Sequence, residues 1–294
     1  MAGTRVALLA PGEMGAAVGA RLIAGGASVT TCLAGRGARS AALAAKAGLG
    51  LAPDLPALLA GAEVFLSIVP PGAALALAED VAAAARRAGA GPLFVDCNAV
   101  APDTARAVAA VVAGAGMDCV DAGIVGAPPH PTEGGGPRFY ASGPEAARFA
   151  ALSSHGLDIR VVGAEIGQAS AVKCCYAALT KGFTALGTAL LVAAERAGVA
   201  APLAAEFAAS QPEASAWLLR QMPSMPPKAW RWVAEMEEIG AFLDSIGVPG
   251  GTLRGAADVY RKVAETPLGK ETPETRDRSR DGRGVAEALA RMLG

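Results

Sequence analysis

The stretch "ALLAPGEMGAAVGARL" (residues 7–22) changes character in its middle. An apolar run stops at Pro11-Gly12, and apolar residues then recur at helical spacing, the pattern of a strand, a tight turn and a helix. The turn admits two readings, a plain connection or an anion site at a helix amino terminus. On the second reading Gly12 lets the backbone approach a pyrophosphate and Gly15 lets strand and helix pack closely, with Pro11, Glu13 and Met14 completing the turn. Ala10 stands where the pattern G-x-G-x-x-G has its first glycine, so the motif alone does not decide.

Its surroundings favour the ligand. Residues 28–34, 62–70, 92–99 and 117–126 are further apolar, β-rich runs, and helical spacing returns in 14–26 and 40–48, with Gly or Pro at the turns. Such alternation predicts a parallel sheet covered on both faces, an α/β Rossmann-like domain over residues 1–165. After "VVG" (161–163) the pattern becomes helical to the end, predicting an all-α domain over 166–294. A proline-free run over about 166–197 would form an interdomain helix about 45 Å long at 1.5 Å per residue. "GKETPETRDRSRDGR" (269–283) reads as a solvated link before a last helix.

Composition narrows the partners. The chain has 294 residues, is 52% hydrophobic and carries a net charge of −1, which gives no footprint for nucleic acid or an anionic membrane. Its long uncharged stretches, such as 182–194 and 64–78, fall short of the roughly 18 residues of a membrane span, so core elements and no membrane partner are expected. "VALLA" is too short for a signal peptide, and five cysteines without a C-x-x-C pair fit buried thiols in a reducing compartment; a cytoplasmic location is expected. Two distant histidines, His130 and His155, give no metal-ligand spacing, and no metal is expected.

The end of the second strand addresses the choice between nicotinamide cofactors. An acid there would bind the ribose hydroxyls of NAD, but "LAGRGARS" (33–40) offers Arg36, Arg39 and Ser40 instead. Guanidinium groups and a hydroxyl suit a 2′-phosphate, which predicts NADP, with NADPH preferred over NADH; the other reading is arginines that solvate a surface loop. Asn98, after the strand at 92–99, is placed either to contact cofactor or substrate or to cap the next helix.

"LAPGEMGAAVGARL" (9–22), "SIVPP" (67–71), "VDCNAVAP" (95–102), "DAGIVGAPP" (121–129) and "GQASAVK" (167–173) occur in the order seen in the β-hydroxyacid dehydrogenases, relatives of 6-phosphogluconate dehydrogenase. "YAALTKG" (176–182) and "RWVAEMEEIGAF" (231–242) resemble a branch in which a helical domain of unknown function follows the NADP-binding domain. The resemblance implies hydride transfer between nicotinamide and a hydroxy or keto substrate, and a homodimer with interlocked carboxyl-terminal domains. It implies an apolar cofactor contact by Val69 and Pro70, and Lys173 as the catalytic lysine.

The chain departs from that family at telling places. The family's asparagine after the lysine is replaced by Tyr176 and Ala177, and a phenol can share proton transfer but lacks a carboxamide's paired donor and acceptor. In the substrate loop Gly123 replaces proline, Val125 replaces a serine, Gly126 matches and Ala127 replaces a glycine. Backbone amides near Gly126 remain available to a carboxylate, while Val125 points to a bulkier or less polar substrate.

Lys173, Tyr176, Thr180 and Thr184 make a polar stripe on an apolar helix, expected to line a pocket because a buried polar group without a partner costs about 1–3 kcal/mol. Lys181 lies off the stripe and stands as a further substrate-site candidate. Trp232, Met236, Ile239 and Leu243 read as core or a subunit interface, and Glu235 as a solvated i, i+4 ion pair with Arg231. His130 is a candidate to touch substrate from the loop after Gly126. Two alternatives remain: C=N reduction, as in imine reductases, favoured by Val125 and Tyr176 but not by Lys173, and a non-catalytic NADP-binding sensor.

Overall fold

The computed structural model describes residues 3–89, 91–132, 135–272 and 274–293. Two compact units divide the chain, Met1–Cys174 and Cys175–Gly294.

The first unit is built on an eight-stranded sheet. Its strands are β1 (Arg5–Leu9), β2 (Ser28–Cys32), β3 (Gly50–Ala52), β4 (Val64–Ser67), β5 (Leu93–Asp96), β6 (Cys119–Val125), β7 (Arg138–Ser142) and β8 (Asp158–Gly163), in the order β3-β2-β1-β4-β5-β6-β7-β8. From β3 to β6 all neighbours run parallel, whereas β7 is antiparallel to β6 and parallel to β8. The expectation of a parallel sheet therefore holds for six strands and is corrected at β7: Val125 pairs with Arg138, so the chain doubles back after β6.

Side-chain alternation places the core on both faces. Val6, Leu8, Leu66 and Val95 enter one layer with Val18 and Leu22 of α1 (Glu13–Ala24) and Phe149 of α6 (Ala146–Ala150). Ala7, Leu9, Phe65 and Phe94 enter the other. There they meet Leu58 of α3 (Leu55–Ala60), Val81 of α4 (Ala74–Ala88) and Val108 of α5 (Pro102–Ala113). The period of two puts successive residues on opposite faces, and both faces are apolar because both are covered. Between β2 and β3 runs α2 (Ala38–Lys46). The chain moves outward from β1 to β3 and then returns to β4 on the other side of β1. That reversal leaves a crevice outside the carboxyl ends of β1 and β4, where open α/β sheets bind ligands.

The helix α7 (Gln168–Arg196) starts in the first unit and continues into the second. The second unit adds α8 (Ala200–Ser210), α9 (Pro212–Gln221), α10 (Ala229–Ser245), α11 (Gly251–Glu265), α12 (Pro267–Lys270) and α13 (Gly282–Met292). Close approach of α10 and α11 is set by glycines: a Cβ at Gly250 would lie 2.0 Å from the Gly240 carbonyl oxygen. Trp232 and Tyr260 meet edge to face across that pair, 5.2 Å apart.

Two expectations change here. The link before α13 is not merely solvated, since Arg280 pairs with Glu271 at 3.2 Å and Arg276 donates to the Pro223 carbonyl at 3.2 Å; Pro273 lies outside the described residues. By length and composition α7 also meets the criteria for a membrane span, with an 18-residue window of mean hydropathy 1.5. Of that window 39% is buried within the protein; in the helical unit the Phe183 ring lies tilted against Trp217, centroids 5.6 Å apart, and the Tyr260 hydroxyl donates to the Lys181 carbonyl at 2.5 Å.

Candidate functional site

At the carboxyl end of β1 the chain turns tightly, with the Gly12 amide donating to the Ala10 carbonyl at 2.8 Å. The Gly12 carbonyl then accepts the Ala16 amide at 2.9 Å, so α1 begins with Gly12 as its cap, and no side chain satisfies its first amides. An uncapped helix start directs N–H groups and the positive end of the dipole outward. Gly12 and Glu13 are exposed, Pro11 is buried and Met14 packs on the core layer. Gly12 has open space where a Cβ would stand, whereas a Cβ at Gly15 would lie 2.4 Å from the Ala10 carbonyl oxygen. One glycine therefore leaves room above the turn, and the other lets α1 close onto β1.

After β2, Gly35 takes a left-handed conformation (φ 70°), and the Arg36 amide donates to the Leu33 carbonyl at 2.9 Å. Gly37 starts α2 without a side-chain cap. Arg36 and Arg39 are exposed and Ser40 is half-buried, so both guanidinium groups and the hydroxyl lie at a second helix start.

Asn98 does not cap the next helix. Ala101, not Asn98, caps α5, and the Asn98 carboxamide is occupied within the protein. Its Oδ1 accepts the Val69 amide at 2.7 Å, and its Nδ2 donates to Ser67 Oγ at 2.8 Å and to Asp96 Oδ1. Asn98 thereby ties the end of β5 to the β4 end, fixing half-buried Val69 before exposed Pro70.

A second construction surrounds Lys173. The Asp121 carboxylate on β6 is 1% exposed, and its Oδ2 accepts the amides of Gly167 and Ser170, each at 2.9 Å, and the Ser142 hydroxyl at 3.1 Å. Oδ1 accepts the Ser170 hydroxyl at 2.6 Å. Lys173 then donates to the Ile124 carbonyl at 2.7 Å. A Cβ at Gly123 would lie 2.9 Å from Lys173 Cβ, so glycine there lets α7 approach β6. Val125 is buried, and Gly126, exposed with φ 127°, would place a Cβ 2.9 Å from Pro137 Cα. The structure thus brings Lys173 together with Gly123 and the strand leading to Gly126.

Asp121 is not legible locally because its partners lie 21, 46 and 49 positions away; the only sequence signal is an acid at the start of "DAGIVGA". Next to it, burial pushes the Cys97 thiol well up, helped by Asp96 and then Asp121. Burial likewise raises Cys119, with the same two carboxylates adding.

The remaining candidates lie in the helical unit. Tyr176 is 50% exposed. Thr180 donates its hydroxyl to the Tyr176 carbonyl at 2.9 Å, Thr184 to the Thr180 carbonyl at 2.8 Å, and Thr188 to the Thr184 carbonyl at 2.7 Å. The threonine donors are satisfied by the helix itself, so polar residues at this spacing do not require a pocket. Lys181 pairs with Glu235 and lies 5.2 Å from the Trp232 ring centroid. That corrects the reading of Glu235 as a solvated partner of Arg231: Glu235 is 7% exposed and binds a lysine 54 residues away.

The histidines also find places. The His130 carbonyl receives Arg21, on the third turn of α1, at 3.3 Å, which draws its loop toward the later turns of that helix; Glu133 and Gly134 lie outside the described residues. His155 bridges the Gly25 carbonyl and Thr4 Oγ1 at 2.8 and 3.0 Å. Among the described residues no group of three or more His, Cys, Asp or Glu side chains is arranged to hold a metal.

Comparison with known proteins places this geometry. Residues 5–154 match the NAD binding domain of 6-phosphogluconate dehydrogenase, and residues 194–263 match a domain of unknown function. No curated protein matches significantly. A conserved protein of unknown function, described as structurally similar to 3-hydroxyacid dehydrogenases, is 29% identical, with 89% of this chain and 97% of that chain covered and a TM-score of 0.67. The Mycobacterium tuberculosis 3-hydroxyisobutyrate dehydrogenase (23% identity, 98% and 99% covered, TM-score 0.70) and the Streptomyces aurantiacus imine reductase (22%, 97% and 99%, TM-score 0.53) share the fold. A nicotinamide cofactor and the oxidoreductase class follow from the matched domain, for the chain belongs to the family of the 6-phosphogluconate dehydrogenase NAD-binding domain.

Proposed function

We propose that the chain is an NADP(H)-dependent oxidoreductase of the β-hydroxyacid dehydrogenase type. When bound, the nicotinamide would supply hydride to a carbonyl carbon in the reducing direction, and Lys173, with Tyr176 three residues on along α7, would supply the proton to the oxygen. The observation that carries this reading is Lys173 held on the Ile124 carbonyl at 2.7 Å, beside the Gly123–Gly126 strand end. The uncapped start of α1 suits the pyrophosphate, with Glu13, Met14 and Gly15 presenting amides and Gly12 leaving room for the backbone approach. Arg36, Arg39 and Ser40 suit a 2′-phosphate, and Val69 and Pro70, braced by Asn98, form the apolar edge of the cofactor site. Backbone amides near Gly126 receive the acid group of a substrate that has one, and Thr180 and Lys181 stand as further substrate-site candidates in the helical unit. Exposed Tyr176, Leu179, Leu186 and Leu190 on α7, and an apolar α8 without a buried residue, support a homodimer through the helical parts. Five free cysteines suit a cytoplasmic setting.

The test is NADPH and NADH oxidation, read by absorbance, against a panel of keto acids, aldehydes and cyclic imines. Turnover of carbonyl compounds with NADPH supports the reading. Turnover of imines alone supports C=N reduction, the second reading, which Val125 in place of a serine favours. Saturable cofactor binding without turnover of any compound supports a sensor.

A further inference from the structure

The two helix starts that matter in the first unit are built in opposite ways. α1 has no side-chain cap, but every amide at the start of α7 has an acceptor. Gly167 and Ser170 donate to Asp121, Gln168 to the Glu165 carbonyl at 3.3 Å, Ala169 to Ser142 Oγ at 2.9 Å, and Ala171 to the Gly167 carbonyl at 2.9 Å. The residue before α7 cannot cap it. Gly167 has φ 101°, and a Cβ there would lie 2.7 Å from an Arg106 guanidinium nitrogen and 3.2 Å from Pro102 Cβ. The cap comes instead from β6, through a carboxylate that makes both bonds of a capping box on its own.

Its position gives it a second consequence. Asp121 holds Gly167 and Ser170, while Ile124, three residues along the same strand, receives Lys173, three residues along the same helix from Ser170. The first turn of α7 is thereby registered against β6, and the lysine follows the turn. We propose that Asp121 is a positioning residue for Lys173, acting through Ser170 and the first turn of α7 to set where the ammonium meets substrate. The proposal rests on the reading of Lys173 as the proton donor. Asp121 itself transfers no proton: its oxygens face two amides and two hydroxyls, all donors.

Two variants test it. Asp121→Asn replaces an acceptor oxygen by an N–H that faces donors, and Ser170→Ala removes a single hydrogen bond, so it carries the test if the first variant does not fold. The activity-independent readout is the acetylation rate of Lys173 by an N-hydroxysuccinimide ester, measured by mass spectrometry against exposed Lys262 and Lys270. The rate is expected to rise about fivefold or more in the folded variants, with the control lysines and the NADPH Kd unchanged. For the carbonyl compound of the panel turned over fastest, kcat is expected to fall about 10- to 100-fold with KM within about threefold, the scale of a misplaced catalytic group. In the Lys173→Ala background the same substitutions should have almost no further effect.

An unchanged acetylation rate in both folded variants would overturn the proposal whatever the activities are. So would a kcat loss that persists in full without Lys173. Wild-type activity in Lys173→Ala alone would instead remove the reading of Lys173 as acid, and the acetylation rate would still report whether Asp121 holds that lysine.

Discussion

Gly123 and Lys173 touch so closely that a single methyl group at residue 123 would stand 2.9 Å from Lys173 Cβ and 3.2 Å from the Ala169 carbonyl oxygen on the same helix. The contact is between a strand and a helix backbone, which cannot swing aside as a long side chain can. α7 lies against β6 because residue 123 has no side chain.

Gly123→Ala should therefore displace the lysine without touching the cofactor turn. We expect kcat to fall by about 100-fold, the usual consequence of moving a reacting group by about 1 Å, with the Kd for NADPH unchanged. Stopped-flow turnover and fluorescence titration of NADPH check the two halves.

The two glycines of the first turn should behave differently. Gly12→Ala meets no atom within 4 Å and should fold as the wild type does, but its methyl stands where the backbone would approach the pyrophosphate, raising the NADPH Kd by about 10-fold or more. Gly15→Ala drives a methyl to 2.4 Å from the Ala10 carbonyl oxygen and should cost about 1–3 kcal/mol of stability. Thermal unfolding beside cofactor titration separates the cases.

Arg36→Ala and Arg39→Ala should each weaken NADPH by about 10- to 100-fold, the worth of a charge-assisted hydrogen bond, and leave NADH unchanged. Equal losses for both cofactors would remove these arginines from the 2′-phosphate site.

The thiols carry a pH signature. Burial holds Cys97 and Cys119 neutral, while Cys175 is exposed, so Ellman's reagent at pH 8 should modify Cys175 first in the native protein and all five cysteines after denaturation. Because the folded state raises these two thiols, their neutral forms favour folding at low and neutral pH. That stabilisation declines as pH rises above the unfolded thiol value of about 8.5, and denaturant midpoints measured from pH 7 to 10 should fall in that direction.

What was legible in the sequence was what repeats locally. Strands such as β1, β4 and β5 announced themselves as apolar runs, and the turn at Gly12 as an interruption of one. β3 has three residues, and β8, at the sheet edge, has no buried residue, so neither carries a period to read. The reversal at β7 was hidden because side-chain alternation is the same for either strand direction. The candidate site was half legible: Lys173, Gly12 and Gly15 stand in recognisable motifs, but the contacts of Asp121 and Glu235 do not, since their partners are distant in sequence. Glu235 was misread because Arg231, four residues away, offered a local partner while Lys181 did not.

The role of Lys173 is tested most directly by the rate of NADPH oxidation by the wild type and by Lys173→Ala on the same carbonyl substrate at saturating cofactor. Loss of a positioned general acid predicts a rate lower by about 100-fold or more with the NADPH Kd unchanged. A variant as fast as the wild type would contradict the account and move the search for the proton donor to Tyr176.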